Sequence, residues 1–266
     1  MTKPVIIAGA GPGGLAAGLA LHAKGINVQV FESVSALKPL GVGINLLPHA
    51  VRMLYAWGLG NALDAIAVRT AELAYYNKFG QLIWSEPRGL DAGYVFPQYS
   101  IHRGRLQMLL FESALARLGE ENLHTDHTLV DWEEEETGVR VHFQRRDGTR
   151  VEVAGSCLIA ADGIHSAARR QLYPNEGDPI YSGRILWRAV SEAAPFLTGR
   201  TMIMAGHQNQ KFVCYPISPD HARQGKALIN WVAELNVPDW KAPKQDWNRQ
   251  VSKDRFAKPF QYNLLT

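Results

Sequence analysis

Gly9-Ala10-Gly11-Pro12-Gly13-Gly14 follows the apolar run Val5-Ile6-Ile7-Ala8 and precedes the helix-prone stretch Leu15-Ala16-Ala17-Gly18-Leu19-Ala20. The pattern is G-x-G-x-x-G at the end of a strand and the mouth of a helix, with Gly9, Gly11 and Gly14 at its fixed positions. Glycine permits the tight turn and lets bare backbone N–H groups approach a pyrophosphate, whose charge the positive end of the helix then favours. Glu32 closes the next apolar run, Val28-Gln29-Val30-Phe31. It stands about 20 residues beyond the glycines, where such units place the acid that binds the ribose hydroxyls. Strand, glycine turn, helix, strand and acid therefore fall in the order of a unit that binds an ADP-containing dinucleotide.

A chain of 266 residues, of which 46% are hydrophobic, can bury a substantial core in one or two domains. The 28 basic and 25 acidic residues are interspersed and leave a net charge of +3, so neither a nucleic-acid stripe nor a polybasic membrane patch is present. Cys157 and Cys214 are the two cysteines, without metal-ligand spacing. They suit a reducing cytoplasm, each as a small buried hydrophobe. His124 and His127 lie among Glu120, Glu121 and Asp126 and read as solvated surface rather than a metal site. Residues 4–21 carry no formal charge, but five glycines and two prolines interrupt them, so a strand–turn–helix is expected there and no membrane span. The chain reads as soluble.

Further along, Pro39-Leu40-Gly41-Val42-Gly43-Ile44-Asn45 is a glycine-punctuated loop, and Pro48 opens a helix with Ala50, Val51, Leu54 and Trp57 at helical spacing. A hairpin is expected around Asn77-Lys78-Phe79-Gly80. A helix over 103–118 shows Leu106, Leu110, Ala114 and Leu118 on one face and stops at Gly119. Strands are expected over 129–132, 139–144 and 150–153, the last two joined by Asp147-Gly148. Beyond Pro174 the texture turns to strands over 185–190, 201–204, 212–217 and 227–232. One nucleotide-binding half followed by antiparallel strands is not the repeated βαβ series of a nicotinamide dehydrogenase.

The second informative stretch is the short strand Cys157-Leu158-Ile159-Ala160-Ala161 running into Asp162-Gly163-Ile164-His165-Ser166-Ala167-Ala168-Arg169. An acid at a strand's carboxyl end sits where open α/β sheets bind ligands, and Ser166 reads equally well as an ordinary helix N-cap. Taken with the N-terminal motif, the chain resembles the FAD-dependent aromatic hydroxylases, the single-component flavoprotein monooxygenases built like 4-hydroxybenzoate hydroxylase. Their paired signature is matched by Gly9, Gly11, Gly14, Glu32, Asp162, Gly163, Ser166 and Arg169. Within that family, residues 39–45, 84–89 and 98–104 look most like the phenazine-modifying branch.

The resemblance implies a mixed α/β fold. A Rossmann-like FAD-binding domain would be built from residues 1–70 and 101–178, and a β-sheet substrate domain from 71–100 and 179–266. It implies FAD as cofactor, NADPH or NADH as co-substrate, O2 as oxidant, and hydroxylation of a small aromatic or heteroaromatic substrate through a flavin C4a-hydroperoxide. It allows a homodimer and requires no dedicated catalytic side chain. Arg103 matches an arginine that contacts the ribityl-pyrophosphate region, Val130 a position whose backbone meets adenine, and Gly43 the loop beside the isoalloxazine. A cation at a helix N-terminus opposes the dipole, so an anion near Arg103 would compensate. Met204, Cys214, Tyr215 and Ile229 are the expected substrate-wall residues, with core packing as the alternative. The strand Cys214-Tyr215-Pro216 lacks the serine and arginine with which the hydroxybenzoate relatives clamp a carboxylate. The family's third motif, Gly-Asp-Ala-Ala-His followed by Pro, does not occur before Thr266, so a C-terminally truncated chain is expected. A non-catalytic remnant and a flavin reductase without oxygen insertion stay open as alternatives.

Overall fold

The computed structural model describes residues 3–239. The stretch leading to Thr266, where the third motif does not occur, lies outside the described residues. In chain order, β1 (Val5–Ala8), α1 (Pro12–His22) and β2 (Val28–Phe31) come first, followed by β3 (Gly43–Leu46), α2 (Pro48–Ala56), α3 (Gly60–Ile66) and β4 (Ala67–Thr70). Next are the hairpin β5 (Glu72–Tyr76) and β6 (Leu82–Pro87), then β7 (Gln98–His102) and the long α4 (Arg103–Leu118). β8 (Leu123–His124), β9 (Thr128–Glu135), β10 (Gly138–Gln144), β11 (Arg150–Gly155), β12 (Cys157–Ala160) and α5 (Ala167–Leu172) follow. Last come β13 (Arg184–Ala193), β14 (Thr201–His207), β15 (Gln210–Pro216), α6 (Pro219–Arg223) and β16 (Ala227–Asn236).

The chain divides into two units, one from residues up to Leu40 with Gly104–Asp178, the other from Gly41–Arg103 with the described residues from Pro179 onward. The division falls at Leu40 rather than near residue 70, because β3 and β4 both pair with β7 and so travel with the second unit.

The first unit holds a parallel sheet in the order β12-β1-β2-β8 and an antiparallel sheet in the order β11-β10-β9. Ile6, Ile7, Val28 and Val30 are buried, as expected for strands covered on both faces. Leu15 and Leu19 of α1 and Leu106, Leu110, Ala114 and Leu118 of α4 are buried as well. Each large aliphatic side chain removed from water contributes about 1.5–3 kcal/mol. Phe31 and Phe143 stack with centroids 4.4 Å apart.

Two expectations fail here. His127 is buried, 4% exposed, and His124 stacks on Phe31 at 4.5 Å, because β8 adds to the β2 edge and carries these rings into the aromatic cluster instead of solvent. Burial, helped by the neighbouring His127 and Arg145, lowers the His124 pKa. Cys157 is exposed rather than buried, since β12 is the outer strand of its sheet.

The second unit holds a six-stranded sheet, β13-β16-β15-β14-β5-β6, and a small sheet, β3-β7-β4. Neighbours in the large sheet are antiparallel except β14 and β5, which run parallel. Tyr99 and Ile101 of β7 are fully buried. The Tyr99 hydroxyl donates to Asp64, which Arg69 also grips through Nε at 2.7 Å and Nη2 at 2.6 Å. Burial alone would raise the Asp64 pKa, but the hydrogen bonds from Arg69 and Tyr99 outweigh it and hold the carboxyl below its ordinary value.

Candidate functional site

The parallel register Ala160↔Ala8↔Phe31 brings the carboxyl ends of β12, β1 and β2 to one edge of the first unit. Asp162, the glycine turn and Glu32 each follow one of those ends, so the two sequence motifs are neighbours in space. Gly9 turns at φ +106, and a Cβ there would collide with the Ala161 carbonyl; Ala161 N–H in turn donates to Ala8 O at 2.8 Å. At Gly14 a Cβ would run into the Gly9 carbonyl oxygen. These two glycines allow the close packing of α1 on the turn, while Gly11 and Gly13 face open space, with nothing within 4 Å of a Cβ at either.

Helix α1 starts without a side-chain cap and without an acid in its first turn. Its first N–H groups have no intrahelical partners, so they present donors and positive potential toward the open side. Glu32 points at the turn: Oε2 accepts the Ala10 N–H at 2.7 Å, and Oε1 accepts the Val34 N–H and the Ser33 hydroxyl, both at 2.9 Å. A carboxylate offers about four lone-pair sites, so capacity for hydroxyl donors remains. Gln107 of α4, which the sequence reading missed, donates through Nε2 to Ala10 O at 3.0 Å and steadies the turn from the other side. An open glycine cradle, an uncapped helix and a carboxylate aimed at both fit the ADP half of a dinucleotide.

Asp162 is tied to the start of α5, where Oδ2 accepts the N–H groups of Ala167 at 2.7 Å and Ala168 at 3.3 Å. Gly163 turns at φ +80 beside it, and Ser166 is the N-cap, its Oγ accepting Arg169 N–H at 2.9 Å. Arg169 is engaged by Glu176, through Nε at 2.6 Å and through Nη2. Val130 falls at a register shift: Leu129 pairs with Phe143 and Asp131 with His142, leaving Val130 as the extra residue of a β-bulge. A bulged residue is released from the ladder, which frees its backbone for another partner.

In the second unit, Arg103 donates its N–H to Val42 O at 2.8 Å and lays its guanidinium along Gly41, where a Cβ would meet Nε at 2.8 Å. Gly43 N–H donates to Asn230 Oδ1 at 2.7 Å, and a Cβ on Gly43 would meet Asn230 and the Tyr215 ring. The four expected wall residues do not share one wall. Cys214 pairs with Ile203 and Trp231, and Ile229 pairs with Pro216, on one face of the sheet. Tyr215 and Met204 project from the other face, which carries Asn230 and so lies toward Gly43. The reason is the two-residue alternation of a strand, which separates adjacent Cys214 and Tyr215. Burial pushes the Cys214 thiol up to about 12 and raises the Tyr215 phenol against the opposing charge of Arg188. Asn230 and Arg188, both absent from the expected set, had one readable signal: each is a polar residue interrupting an apolar run, 227–233 and 185–190 respectively.

A glycine-cradled parallel sheet joined in sequence to a mixed, mainly antiparallel sheet defines a dinucleotide-binding α/β protein of the flavoprotein type. The chain belongs to the FAD binding domain family, whose model matches residues 2–260. It is 45% identical over 254 residues to a phenazine 1,6-dicarboxylic acid hydroxylase, PhzS, of Lysobacter antibioticus, covering 94% of this chain and 61% of that protein. It is 33% identical over 197 residues to a 3-hydroxybenzoate 6-hydroxylase of Polaromonas naphthalenivorans, covering 73% of this chain and 47% of the relative. Its fold matches the crystal structure of Klebsiella pneumoniae HpxO complexed with FAD and uric acid, with a TM-score of 0.74, 22% identity, and coverage of 98% of this chain and 62% of that one. The chain thus spans roughly half to three fifths of the length of these relatives.

Proposed function

We propose that this chain carries the FAD-binding and substrate-wall parts of an NAD(P)H-consuming monooxygenase that hydroxylates an aromatic or heteroaromatic, phenazine-like compound. The observation that carries the reading is the meeting of the glycine turn, Glu32 and Asp162 at one sheet edge. Gly11, Gly13 and the first turn of α1 would hold the pyrophosphate, Glu32 the ribose hydroxyls, and the bulged backbone at Val130 the adenine. Asp162 and Gly163 would serve the same cofactor through the start of α5. When bound and reduced, FAD supplies the electrons and the activation of O2 by which one oxygen atom enters the ring and the other leaves as water. The protein's part is orientation and exclusion of water. The face bearing Tyr215 and Met204 offers the substrate wall; Cys214 and Ile229 belong to the apolar packing of the opposite face. Two unpaired cysteines suit a cytoplasmic location, and among the described residues no helix is long and apolar enough to cross a membrane.

The test is turnover of the FAD-supplemented chain with NADPH or NADH, phenazine-1,6-dicarboxylate and isotopically labelled O2. Incorporation of one labelled oxygen atom into the product is the expected result. Consumption of the reduced nicotinamide without incorporation would make the chain a reductase. Failure to retain FAD would make it a non-catalytic remnant.

A further inference from the structure

Arg188 stands within the apolar run Ile185-Leu186-Trp187-Arg188-Ala189-Val190 of β13. The register places it opposite Val232, and through Val213 on the face of the sheet that also carries Met204, Tyr215 and Asn230. Among the described residues no carboxylate pairs with it, and its hydrogen bond from Nη2 to Gly43 O is long, at 3.5 Å. Arg184, four residues earlier on the same face, is by contrast held by Glu234 at 2.8 Å. A guanidinium fixed on a strand yet left without a counter-charge offers its planar fork to an incoming anion.

Asn230 is the second, independent observation. It is fully buried, and its Oδ1 accepts the Gly43 N–H, which settles which end of the amide is oxygen. The amide nitrogen Nδ2 is therefore a donor; it faces the Tyr215 phenol and makes no hydrogen bond of good geometry. Buried donors are ordinarily satisfied, and one left over calls for an explanation such as a ligand. Tyr215 is directly opposite Asn230 on β15, so the Arg188 cation, the Asn230 amide and the Tyr215 ring all lie against Gly43 at the start of β3.

We propose that Arg188 and the Asn230 amide form the anion-reading pair of the substrate wall, selecting an aromatic carboxylate over the neutral ring. The inference rests on the aromatic-hydroxylase reading above and adds to it the residues that set the acid's preference. The Arg188 guanidinium pairs with the carboxylate, Asn230 Nδ2–H donates to it, and the ring packs along Tyr215 and Met204. A site built to hydrogen-bond one group rejects analogues that lack it, because its own polar groups then stay unpaired.

The test titrates phenazine-1,6-dicarboxylate, its diamide and unsubstituted phenazine into the FAD-supplemented chain and into R188Q and R188K, following the absorbance of the ring. The unaltered chain should bind the diacid at least about tenfold more tightly than the diamide, a difference of about 1.4 kcal/mol. R188Q should lose that preference and leave diamide affinity unchanged, with R188K between them because it keeps the charge and loses the fork. The melting temperature of R188Q should match that of the unaltered chain, separating recognition from folding. Equal affinity for diacid and diamide in the unaltered chain, or an R188Q variant that keeps the preference, overturns the anion-reading pair and leaves the aromatic site standing. Binding of none of the three compounds sinks the aromatic reading itself.

Discussion

At Gly9 the chain turns through φ +106 with the Ala161 carbonyl against its Cα, whereas Gly13 faces open space in the first turn of α1. The two glycines are thus required for different reasons, and alanine separates them. Gly9→Ala adds a methyl group into backbone and strains a positive-φ residue, so it should cost at least about 1–3 kcal/mol in urea unfolding. Gly13→Ala meets nothing and improves helix propensity, so it should leave stability unchanged or raised by up to about 1 kcal/mol. It should still weaken FAD binding at least tenfold, read by flavin fluorescence quenching, because the methyl group stands where the pyrophosphate would approach. Cys214 gives a second prediction. Its thiol keeps its proton in the native state up to about 12, while the unfolded chain loses it near 9.0. The unfolded state therefore binds fewer protons in that window, and stability falls as pH rises from about 9 toward 12, by at most about 1.4 kcal/mol per unit. Unfolding at about pH 8 and pH 10 should show a drop roughly 1 kcal/mol larger for the unaltered chain than for Cys214→Ala.

The short helix α5 shows how an element can depend on two side chains at once. Ser166 Oγ takes the Arg169 N–H, and Asp162 takes those of Ala167 and Ala168, so three of the helix's early donors are satisfied from outside the helix. Ser166→Ala should cost about 0.5–2 kcal/mol in urea unfolding, and Asp162→Ala more, since it strips two donors and a favourable charge at the helix start. An equal, negligible cost for both would show that α5 is held by packing alone. Much at this scale was readable in the sequence: α4 runs over 103–118 and stops at Gly119, and the β5–β6 and β10–β11 hairpins form around Asn77-Lys78-Phe79-Gly80 and Asp147-Gly148. What stayed hidden was decided between elements distant in sequence. The parallel pairing of β14 with β5 joins segments more than a hundred residues apart, and no local pattern announces it. The burial of His127 depends on β8 finding the β2 edge. At the candidate site the backbone motifs were legible because glycine is demanded by geometry, as at Gly9 and Gly14. The side-chain wall was not, because Cys214, Tyr215, Ile229 and Asn230 differ in role only by which face alternation gives them.

For the whole molecule, the proposed ADP cradle sits entirely in the first unit, since Gly9, Gly11, Gly14, Glu32, Gln107 and Asp162 all belong to residues up to Leu40 or to Gly104–Asp178. Residues expected at the flavin end, Gly43 and Arg103, belong to the second. A ligand that binds only the folded state stabilises it by mass action, by about 2.7 kcal/mol at a hundred times its Kd. For a chain of this size that corresponds to a rise of roughly 5–10 °C in melting temperature. FAD should produce such a rise, and ADP, which lacks the flavin, a smaller one in the transition of the first unit. Glu32→Gln should reduce both shifts, because it removes the charge that accepts the ribose hydroxyls while the amide oxygen can still accept the Ala10 N–H. An FAD shift with no ADP shift would place the affinity at the flavin end and count against the glycine cradle. Neither ligand moving the transition would mean that the turn, the uncapped helix and the carboxylate do not together constitute a nucleotide site.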